Sequence, residues 1–423
     1  MIPPAVPAGA SAVPAERGSG RDAVTFNPLL PEYRQDPHPF LHRLRGADPV
    51  HHSRILNVWV LTRYADVQGA LKDERFSASA RHWENYRRYF FREAAGGRSP
   101  TADAYGDWML QLDPPDHTRL RALVNRAFTP RVAESLAQRV QRAIDSLLEP
   151  VLPQGEIDVI ADLGYPLPII VISDLLGVPQ ADHDKIKQWS RDLLPTFSPA
   201  LSAAAAKAAG EAAEAFGDYF GDLVRKRRQE PCEDLISGLI AAREQEDRLS
   251  EAELLSMCML LVFAGHASTV QLIGGAILAL LEHPTQLELL RAEPALVGGA
   301  VEEALRYVSP LQLIYRTTTR PVEVGDRTIP ANQMVLLSLA AANRDPEQFP
   351  DPDAFDIRRA PNRHIGFGYG IHYCAGAPLA RLEGRLALDT VIQRCTDLSL
   401  AAPPQRESSL LLRGLTSLRV RFG

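Results

Sequence analysis

The feature that most limits how this chain can fold is a long run without a charged side chain. Between Leu254 and Leu281 the sequence contains no Asp, Glu, Lys or Arg. A helix of this length could cross a bilayer, or it could lie at the centre of a large globular protein with all its faces covered. Polar residues in its middle, among them His266 and Gln271, and the absence of a basic cluster on one side favour the buried helix.

Local signals define the two ends of this helix. Ser250 can cap the first turn, and Glu253 three residues later completes a capping box. Pro284 ends the helical pattern after His283. We therefore predict a long central helix over about residues 251–283.

The middle of the helix carries two small residues, Ala264 and Gly265. A glycine inside a helix costs about 1 kcal/mol relative to alanine, so its presence suggests a packing or a functional reason. Small side chains would let a planar cofactor and a diatomic ligand lie against the helix. Ser268, one turn later, shares the face of Ala264 and could bond to the carbonyl at 264. Close packing between helices is the alternative role for these small residues.

A glycine-rich loop, Phe367–Gly376, contains a single cysteine, Cys374. Glycines at positions 366, 368 and 370 can take positive φ and let the backbone approach a flat ligand closely. A helix-forming run from Pro378 onward places Cys374 near a helix N-terminus. There the unpaired N–H groups and the helix dipole favour a thiolate, which can bind a metal.

Three more ordinary roles fit the residues of this loop less well. A lone cysteine is most often a small buried hydrophobic residue. A dinucleotide-binding loop would open a helix directly, whereas His372 and Cys374 intervene here and Pro378 breaks the spacing. A zinc site made from His364, His372 and Cys374 would lack a fourth ligand and a paired-cysteine knuckle.

The spacing Phe-Gly-x-Gly-x-His-x-Cys-x-Gly resembles the haem-ligand motif of the cytochrome P-450 family. The resemblance implies that Cys374 is the axial ligand of a haem b iron and that Phe367 and Gly368 help to bind the cofactor. Thiolate ligation of haem iron is an established use of cysteine. The implied fold is the cytochrome P-450 fold, mainly α with a small β region (α+β), with the long central helix over the haem.

The segment Ala-Gly-His-Ala-Ser-Thr at 264–269 is similar to the oxygen-binding helix of that family, where Ala-Gly-x-acid-alcohol is usual. The residues that the resemblance implicates in oxygen activation are Ala264, Gly265, Ser268 and Thr269. Ala267 stands at the position of the acid, and an alanine cannot carry protons. His266 is turned by about 100° around the helix and cannot be assumed to replace the acid. Ser268, ordered water or a polar group of the substrate would then deliver protons, or the reaction differs from ordinary hydroxylation.

Resemblance to the family extends over nearly the whole chain from about residue 26. Residues 113–121 are similar to its third-helix motif, in which His117 and Arg121 would hold haem propionates. These two side chains are one helical turn apart and face the same way. Arg316 and His372 occupy the other two propionate-binding positions. Each of the four, taken alone, is more often a surface residue.

The pair Glu303-x-x-Arg306 matches another family motif, which implies a structural brace together with Arg359. By spacing alone the two residues are neighbours on a helix face, where a solvated surface pair is the commoner outcome.

The rest of the chain predicts a mostly helical body with a few strands. Strand-like runs begin at Trp59, at Met334 and at Ser417, and the last reaches Phe422. An alanine-rich stretch at 199–228 predicts helices that end in a basic group. The aromatic stretch at 81–112 would cover the substrate in a member of the family. We expect a disordered leader at 1–22 and one catalytic domain at 23–423, because no linker divides the chain after its start.

Charge and cysteine content narrow the functional classes. The formal net charge is −6, from 46 basic and 52 acidic residues, so no general attraction to nucleic acid or to an anionic membrane is expected. Four cysteines without a paired motif suit a reducing, cytoplasmic environment.

The resemblance implies a bacterial-type haem-thiolate monooxygenase that hydroxylates or epoxidises a small organic substrate, free or bound to a carrier protein, in specialised-metabolite biosynthesis. Electrons would come from a separate ferredoxin and its reductase, docking on the cysteine side through basic residues. Because Ala267 stands at the position of the acid, two other reaction types remain as alternatives. One is oxidative ring coupling or other radical chemistry, and the other is nitric oxide reduction. From another class, the chain could be a non-catalytic haem sensor or a partner of a carrier protein.

Overall fold

The structure is a computed structural model of the 423-residue chain. It describes residues 24–83, 108–193, 203–246, 249–406 and 409–423. The leader expected at 1–22 and most of the aromatic stretch at 81–112 lie outside the described residues, so the division into a leader and one domain stays a prediction.

Helices make up most of the described chain, as predicted. In chain order they are α1 Pro31–Gln35, α2 His38–Ala47, α3 Tyr64–Lys72, α4 Asp116–Ala127, α5 Pro130–Ser135, α6 Ala137–Leu148, α7 Pro166–Leu176, α8 His183–Leu193, α9 Ala203–Gln229, α10 Leu235–Glu246, α11 Glu251–Glu282, α12 Pro284–Ala292, α13 Val297–Tyr307, α14 Leu339–Ala342 and α15 Ala377–Arg394. Helix α9 ends in the basic residues predicted to stabilise its C-terminus, Lys226 to Arg228.

The strands form a small β region beside the helices. They are β1 Val50–Ser53, β2 Val58–Leu61, β3 Phe76–Ser77, β4 Glu156–Asp158, β5 Leu313–Thr318, β6 Val322–Val324, β7 Arg327–Ile329, β8 Met334–Ser338, β9 Ser399–Leu400, β10 Gln405–Arg406, β11 Leu415–Ser417 and β12 Arg419–Arg421. The largest sheet has the order β1-β2-β8-β5-β3. In it β2 runs parallel to β8, with Trp59 opposite Val335, and the other neighbours are antiparallel.

The strand-like run predicted from Ser417 to Phe422 is divided in the structure. Strand β11 pairs with β10, whereas β12 lies between β4 and β9 in another sheet. The chain changes sheets at Leu418, whose N–H donates to Asp158 Oδ1 at 3.1 Å and whose carbonyl accepts from Val159 N at 2.8 Å. The prediction of one continuous strand was therefore wrong, because these contacts with a distant segment are not visible in the local pattern.

The long central helix is α11, and the prediction of its position is confirmed. Ser250 Oγ accepts from Glu253 N at 3.1 Å, and Glu253 Oε2 accepts from Ser250 N at 2.7 Å, which is the expected capping box. The helix ends at Glu282, and Pro284 begins α12.

Two helical stretches in the described chain are long and apolar enough to cross a membrane by length and composition, Val159–Leu176 and Glu251–Glu282. Their most apolar windows are 67% and 72% buried inside the molecule, which is typical of core helices. Helix α11 packs against α7, α9, α13 and α15. At Gly275 a Cβ atom would come within 2.7 Å of Val308 Cγ1, so this glycine permits close packing.

Glu303 and Arg306 of α13 are fully buried and do not form a surface pair. Arg306 donates to both carboxylate oxygens of Glu303, at 2.7 and 2.8 Å, and Arg359 Nε donates to the same carboxylate at 3.2 Å. The remaining N–H groups of Arg306 donate to the carbonyls of Asn343, Pro352 and Ala354. A buried ion pair is stable only when its polar atoms are satisfied in this way. The brace implied by the resemblance is therefore present.

Candidate active site

The loop Phe367–Gly376 precedes α15 and is held by its own backbone. The N–H of Cys374 donates to the carbonyl of Phe367 at 3.0 Å, which closes the loop. Gly368 and Gly370 have φ angles of 72° and 71°, as predicted. At Gly370 a Cβ atom would also lie 2.5 Å from the carbonyl oxygen of Leu71 in α3, so the position requires glycine.

Gly366 differs from the other two glycines, because its φ is not positive. Its requirement is space: a Cβ atom would lie 2.8 Å from the carbonyl oxygen of Leu305. The prediction of positive φ at all three glycines was thus wrong at 366. This glycine instead lets the start of the loop lie against α13.

Cys374 is partly buried, two residues before the N-cap of α15. Burial raises the pKa of its thiol, while the backbone N–H groups of Gly376 and Ala377 and the guanidinium groups of Arg121 and Arg381 act in the opposite direction. The net pKa is raised, so the helix N-terminus alone does not stabilise a thiolate as expected, because desolvation outweighs it. A bound metal cation would reverse this balance, since a coordinating thiol is deprotonated outright.

Four basic side chains that the sequence places far apart lie together near this loop. The rings of His117, from α4, and His372, from the loop, are 4.0 Å apart between centroids. Arg121 donates from Nη2 to the carbonyl of Tyr373 at 2.5 Å. Arg316, on β5, is 6% exposed.

Burial and positive charge keep both imidazoles of this cluster neutral. Burial lowers the pKa of His117 to about 4, with Arg121 and Arg316 adding to the effect and Asp113 opposing it. Burial, and then Arg316, lower the pKa of His372 to about 2. Both effects disfavour a further positive charge.

Several nitrogen atoms of this cluster have no acceptor. Both ring nitrogens of His117 and Nε2 of His372 are buried and make no hydrogen bond to a residue that the structure describes. Arg316 donates to the adjacent carbonyl of Tyr315. Buried polar atoms normally have partners, so these unpaired nitrogens beside the Arg316 guanidinium indicate a polar, acidic group from outside the chain. The two propionate carboxylates of a haem fit this donor set, and the nearby thiol of Cys374 fits its iron.

The middle of α11 is accessible on one side although most of the helix is buried. Ala264 is exposed, and Gly265 and Ser268 are partly exposed. Ser268 Oγ lies 3.5 Å from the carbonyl oxygen of Ala264, the contact predicted from the sequence. Thr269 differs: it is 3% exposed and donates to the carbonyl of Gly265 at 3.1 Å. Ala264 and Ser268 thus line open space, whereas Thr269 packs inside, and the roles of all these residues in oxygen activation stay predictions.

His266 lies in the protein interior and not on the accessible face of α11. It is 1% exposed, and its Nδ1 lies 3.1 Å from Ser190 Oγ of α8. Its ring stands edge-on to Tyr165 at 4.4 Å between centroids. Burial lowers the pKa of His266 to about 3, so the ring is neutral. Ala267 next to it is buried as well.

A bracing network beside the loop was not predicted from the sequence. Arg381 of α15 donates to both oxygens of Glu302, at 2.6 and 2.9 Å, and Nε2 of His364 lies 3.0 Å from the same carboxylate. Although burial opposes it, these partners lower the pKa of Glu302 to about 2. The Arg381 guanidinium also lies 4.6 Å above the ring of Phe367. This contact helps to fix the position of Phe367, which the sequence predicts to bind the cofactor.

The network around Glu302 also argues against a zinc site made from His364, His372 and Cys374. Both ring nitrogens of His364 are engaged, since Nδ1 accepts from Gly366 N at 3.1 Å. No cluster of three or more metal-ligating side chains occurs in the described ranges. In the sequence, only Arg381 in the helix after the cysteine could have indicated this network. Its partner Glu302 lies 79 residues away, so the pairing cannot be inferred from local spacing.

Comparisons with known proteins agree with this geometry. The family model described as Cytochrome P450 matches residues 57–413. The chain is 42% identical to Cytochrome P450 107B1 of Saccharopolyspora erythraea, over 92% of this chain and 96% of that protein. It is 41% identical to Cytochrome P450 monooxygenase PikC of Streptomyces venezuelae, over 92% of each.

The fold is also similar to solved structures. The chain superimposes on P450BioI, solved in complex with an acyl carrier protein ligated to hexadec-9Z-enoic acid, with a TM-score of 0.86. The two share 37% sequence identity over 93% of this chain and 99% of the other. With the cysteine loop, the basic cluster and the central helix in place, and with relatives this similar over almost their full length, the chain belongs to the cytochrome P450 family.

Proposed function

We propose that this protein is a haem-thiolate monooxygenase that inserts one oxygen atom from dioxygen into a small organic substrate, by hydroxylation or epoxidation. The family implies an oxidoreductase with a haem-iron cofactor. The observation that carries the proposal is the group of buried nitrogens of His117 and His372 that have no hydrogen-bond partner among the described residues, beside Arg316 and close to the one cysteine of the glycine loop.

In this proposal Cys374 holds the iron, and His117, Arg121, Arg316 and His372 hold the two propionates. Haem bound in this way supplies the binding and reductive activation of dioxygen, which the side chains of the protein cannot perform. Phe367 and Gly368 belong to the loop that carries Cys374, so they would contact the haem from the side of that cysteine. At Gly368 a Cβ atom would lie 3.7 Å from Ile314 Cδ1, an ordinary contact distance, so the positive φ and not a lack of space favours glycine there.

The accessible face of α11 would form the opposite wall of the pocket. Ala264 and Gly265 leave room for a flat group and a small ligand. Ser268 Oγ is the hydroxyl on this face that can hold or pass on a proton, and its long contact with the carbonyl of Ala264 leaves it free to turn toward the pocket. Because Ala267 cannot supply protons, we infer that water or a polar group of the substrate relays them to Ser268.

Electrons would come from a ferredoxin and its reductase, which dock near the cysteine loop. The surface at this loop supports that proposal: the large apolar side chains of Tyr369, Ile371 and Tyr373 are exposed, and the basic Lys72 of α3 lies 4.6 Å above the ring of Tyr369. An acidic partner protein would be attracted by such a surface. We place the protein in the cytoplasm, consistent with its four free cysteines.

The substrate class is proposed by analogy. The two relatives named above come from bacteria, and the structural neighbour P450BioI is solved with an acyl carrier protein. We therefore propose a specialised metabolite, either free or attached to a carrier protein.

Two measurements test the proposal. The haem-loaded, reduced protein under carbon monoxide should show the red-shifted absorption of thiolate ligation. Cys374→Ala should lose this absorption, and the matched control Cys232→Ala, at an exposed cysteine, should keep it. Retention of the absorption in Cys374→Ala would rule out this residue as the ligand.

The second measurement follows isotopically labelled dioxygen into the product, with ferredoxin and reductase supplied. One labelled oxygen atom per product molecule is expected. A product without label would favour oxidative coupling. Direct reduction by a nicotinamide cofactor without ferredoxin would favour nitric oxide reduction, and binding of ligands without turnover would favour a sensor.

A further inference from the structure

A cleft of about 1090 Å³ opens where α1, α2 and the end of α11 meet the segment around β10. Glu282, the last residue of α11, lines it. Ser268 lies 14 residues earlier in the same helix, so at 1.5 Å per residue the two are about 21 Å apart along its axis. The cleft is therefore separate from the candidate active site.

Four arginines supply the positive charge in the lining of this cleft. They are Arg34, Arg344, Arg406 and Arg413. The carboxylates in the lining are Asp36, Glu282 and Asp353. Arg344 Nη1 donates to Asp353 at 2.8 Å, so these two neutralise each other. Three cations then face two carboxylates, which leaves the cleft with an excess of positive charge.

Two of the arginines lack a close acceptor. Neither the Arg406 nor the Arg413 guanidinium donates a hydrogen bond to any residue in the described part of the chain, and Nε of Arg413 is buried without a partner. The carboxylate closest to Arg413 is Asp36, at 3.9 Å. For Arg406, no described carboxylate comes within ion-pair distance, although Glu282 and Asp36 act on it from farther away.

The two guanidinium groups are also close enough to repel each other. Burial lowers the pKa of Arg413 to about 10, and the charge of Arg406 is the next largest cause. Arginine side chains stay protonated at neutral pH, so both groups carry a positive charge. Two partly dehydrated cations without direct acceptors cost free energy, and an anion between them would remove that cost.

A histidine in the wall of the cleft also lacks hydrogen-bond partners among the described residues. His38 is 7% exposed, and both of its ring nitrogens are buried without a hydrogen-bond partner among the described residues. Burial, followed by the charges of Arg344 and Arg413, lowers its pKa well below the usual value. Buried polar atoms without partners are few in native proteins and indicate a partner outside the chain.

We propose that this cleft binds a small dissolved oxyanion, a metabolite that carries phosphate or carboxylate groups, between Arg406 and Arg413. Planar guanidinium groups match the paired oxygens of phosphate and carboxylate, and charge-assisted hydrogen bonds of this kind are the strong ones. The cleft volume lies at the upper limit of small-molecule sites, so it has room for a ligand larger than a bare phosphate ion.

The test uses the haem-loaded protein. In it the haem propionates occupy the basic cluster around His117, so that added oxyanions do not bind there. Inorganic phosphate and citrate are titrated separately by calorimetry in a buffer free of other oxyanions. The wild type should show saturable binding, tighter for citrate than for phosphate. The double variant Arg406→Gln/Arg413→Gln should bind at least tenfold more weakly, and the control Arg320→Gln, at an exposed arginine paired with Glu74, should bind as the wild type does.

Thermal unfolding provides a second readout that does not depend on detecting heat. Without oxyanions, Arg406→Gln should melt at or above the wild-type temperature, because it removes the repulsion with Arg413. Citrate should raise the melting temperature of the wild type and not that of the variant. The proposal fails if neither anion binds saturably, if the double variant binds with wild-type affinity, or if citrate stabilises wild type and variant equally.

Discussion

Replacing Glu303 by glutamine tests whether the buried brace stabilises the fold. The Glu303 carboxylate is fully buried and accepts from the guanidinium groups of Arg306 and Arg359, from the amide of Asn362 and from the N–H of Asp356. Glutamine removes the negative charge and places an NH₂ group opposite donors. Arg306, also fully buried, would then be a cation without a counter-charge.

Breaking a buried ion pair by removing one partner costs about 3–5 kcal/mol. Proteins are stable by only about 5–15 kcal/mol, so Glu303→Gln should lose about a fifth of its stability or more. The matched control is Glu293→Gln, whose partner Arg358 lies on the surface and whose side chain is 50% exposed. This control should lose less than about 1 kcal/mol.

The assay is equilibrium unfolding in guanidinium chloride, followed by circular dichroism and by haem absorbance, because coincident curves are needed for a free energy of unfolding. Glu303→Gln should also retain less haem, since the carbonyl of Leu305 in the same helix contacts Gly366 at the start of the cysteine loop. A loss no larger than that of Glu293→Gln would refute the reasoning, because it would mean that the pair is not desolvated.

Three other predictions concern the active site and its support. Ala267→Glu should increase product per electron consumed and decrease peroxide release if the natural reaction is oxygen insertion, as measured by coupled product and peroxide assays; unchanged coupling would mean that protons take another route. Ser268→Ala should reduce product formation more than Thr269→Ala, because Ser268 lies on the accessible face of α11 and Thr269 does not; equal effects in steady-state turnover would contradict this assignment. The Glu302 pair should be sensitive to acid: its folded pKa of about 2 lies below the reference value of 4.5, so its contribution of about 1–3 kcal/mol is full above pH 4.5 and is lost as the pH falls toward 2. The difference in unfolding free energy between wild type and Glu302→Gln, measured from pH 6 to pH 2, should shrink over that range, and a constant difference would show that the charge of Glu302 does not matter.

Local signals in the sequence predicted those parts of the fold that depend on local physics. The capping box at Ser250 and the proline at 284 define the ends of α11 because caps act within one turn. Glycine permits positive φ, and Gly368 and Gly370 adopt it, whereas Gly366 shows that the residue type alone does not impose it.

Features that depend on distant partners could not be derived in this way. The spacing of Glu303 and Arg306 is that of an ordinary surface pair, and their burial is decided by the segment that carries Arg359. His117 and His372 lie 255 positions apart in the sequence, and only the family resemblance suggested that they meet. The raised pKa of Cys374 was missed because burial cannot be read from the position of a residue at a helix end.

The parallel pairing of β2 with β8 bears on how the protein is made in the cell. Trp59 faces Val335, so 276 residues must leave the ribosome between the two partners. At synthesis rates of about 5–20 residues per second, β2 waits roughly 14–55 seconds for its neighbour. Throughout that interval the edge of β2 that pairs with β8 keeps its backbone N–H and C=O groups unpaired, and such an edge is a template for pairing with another chain.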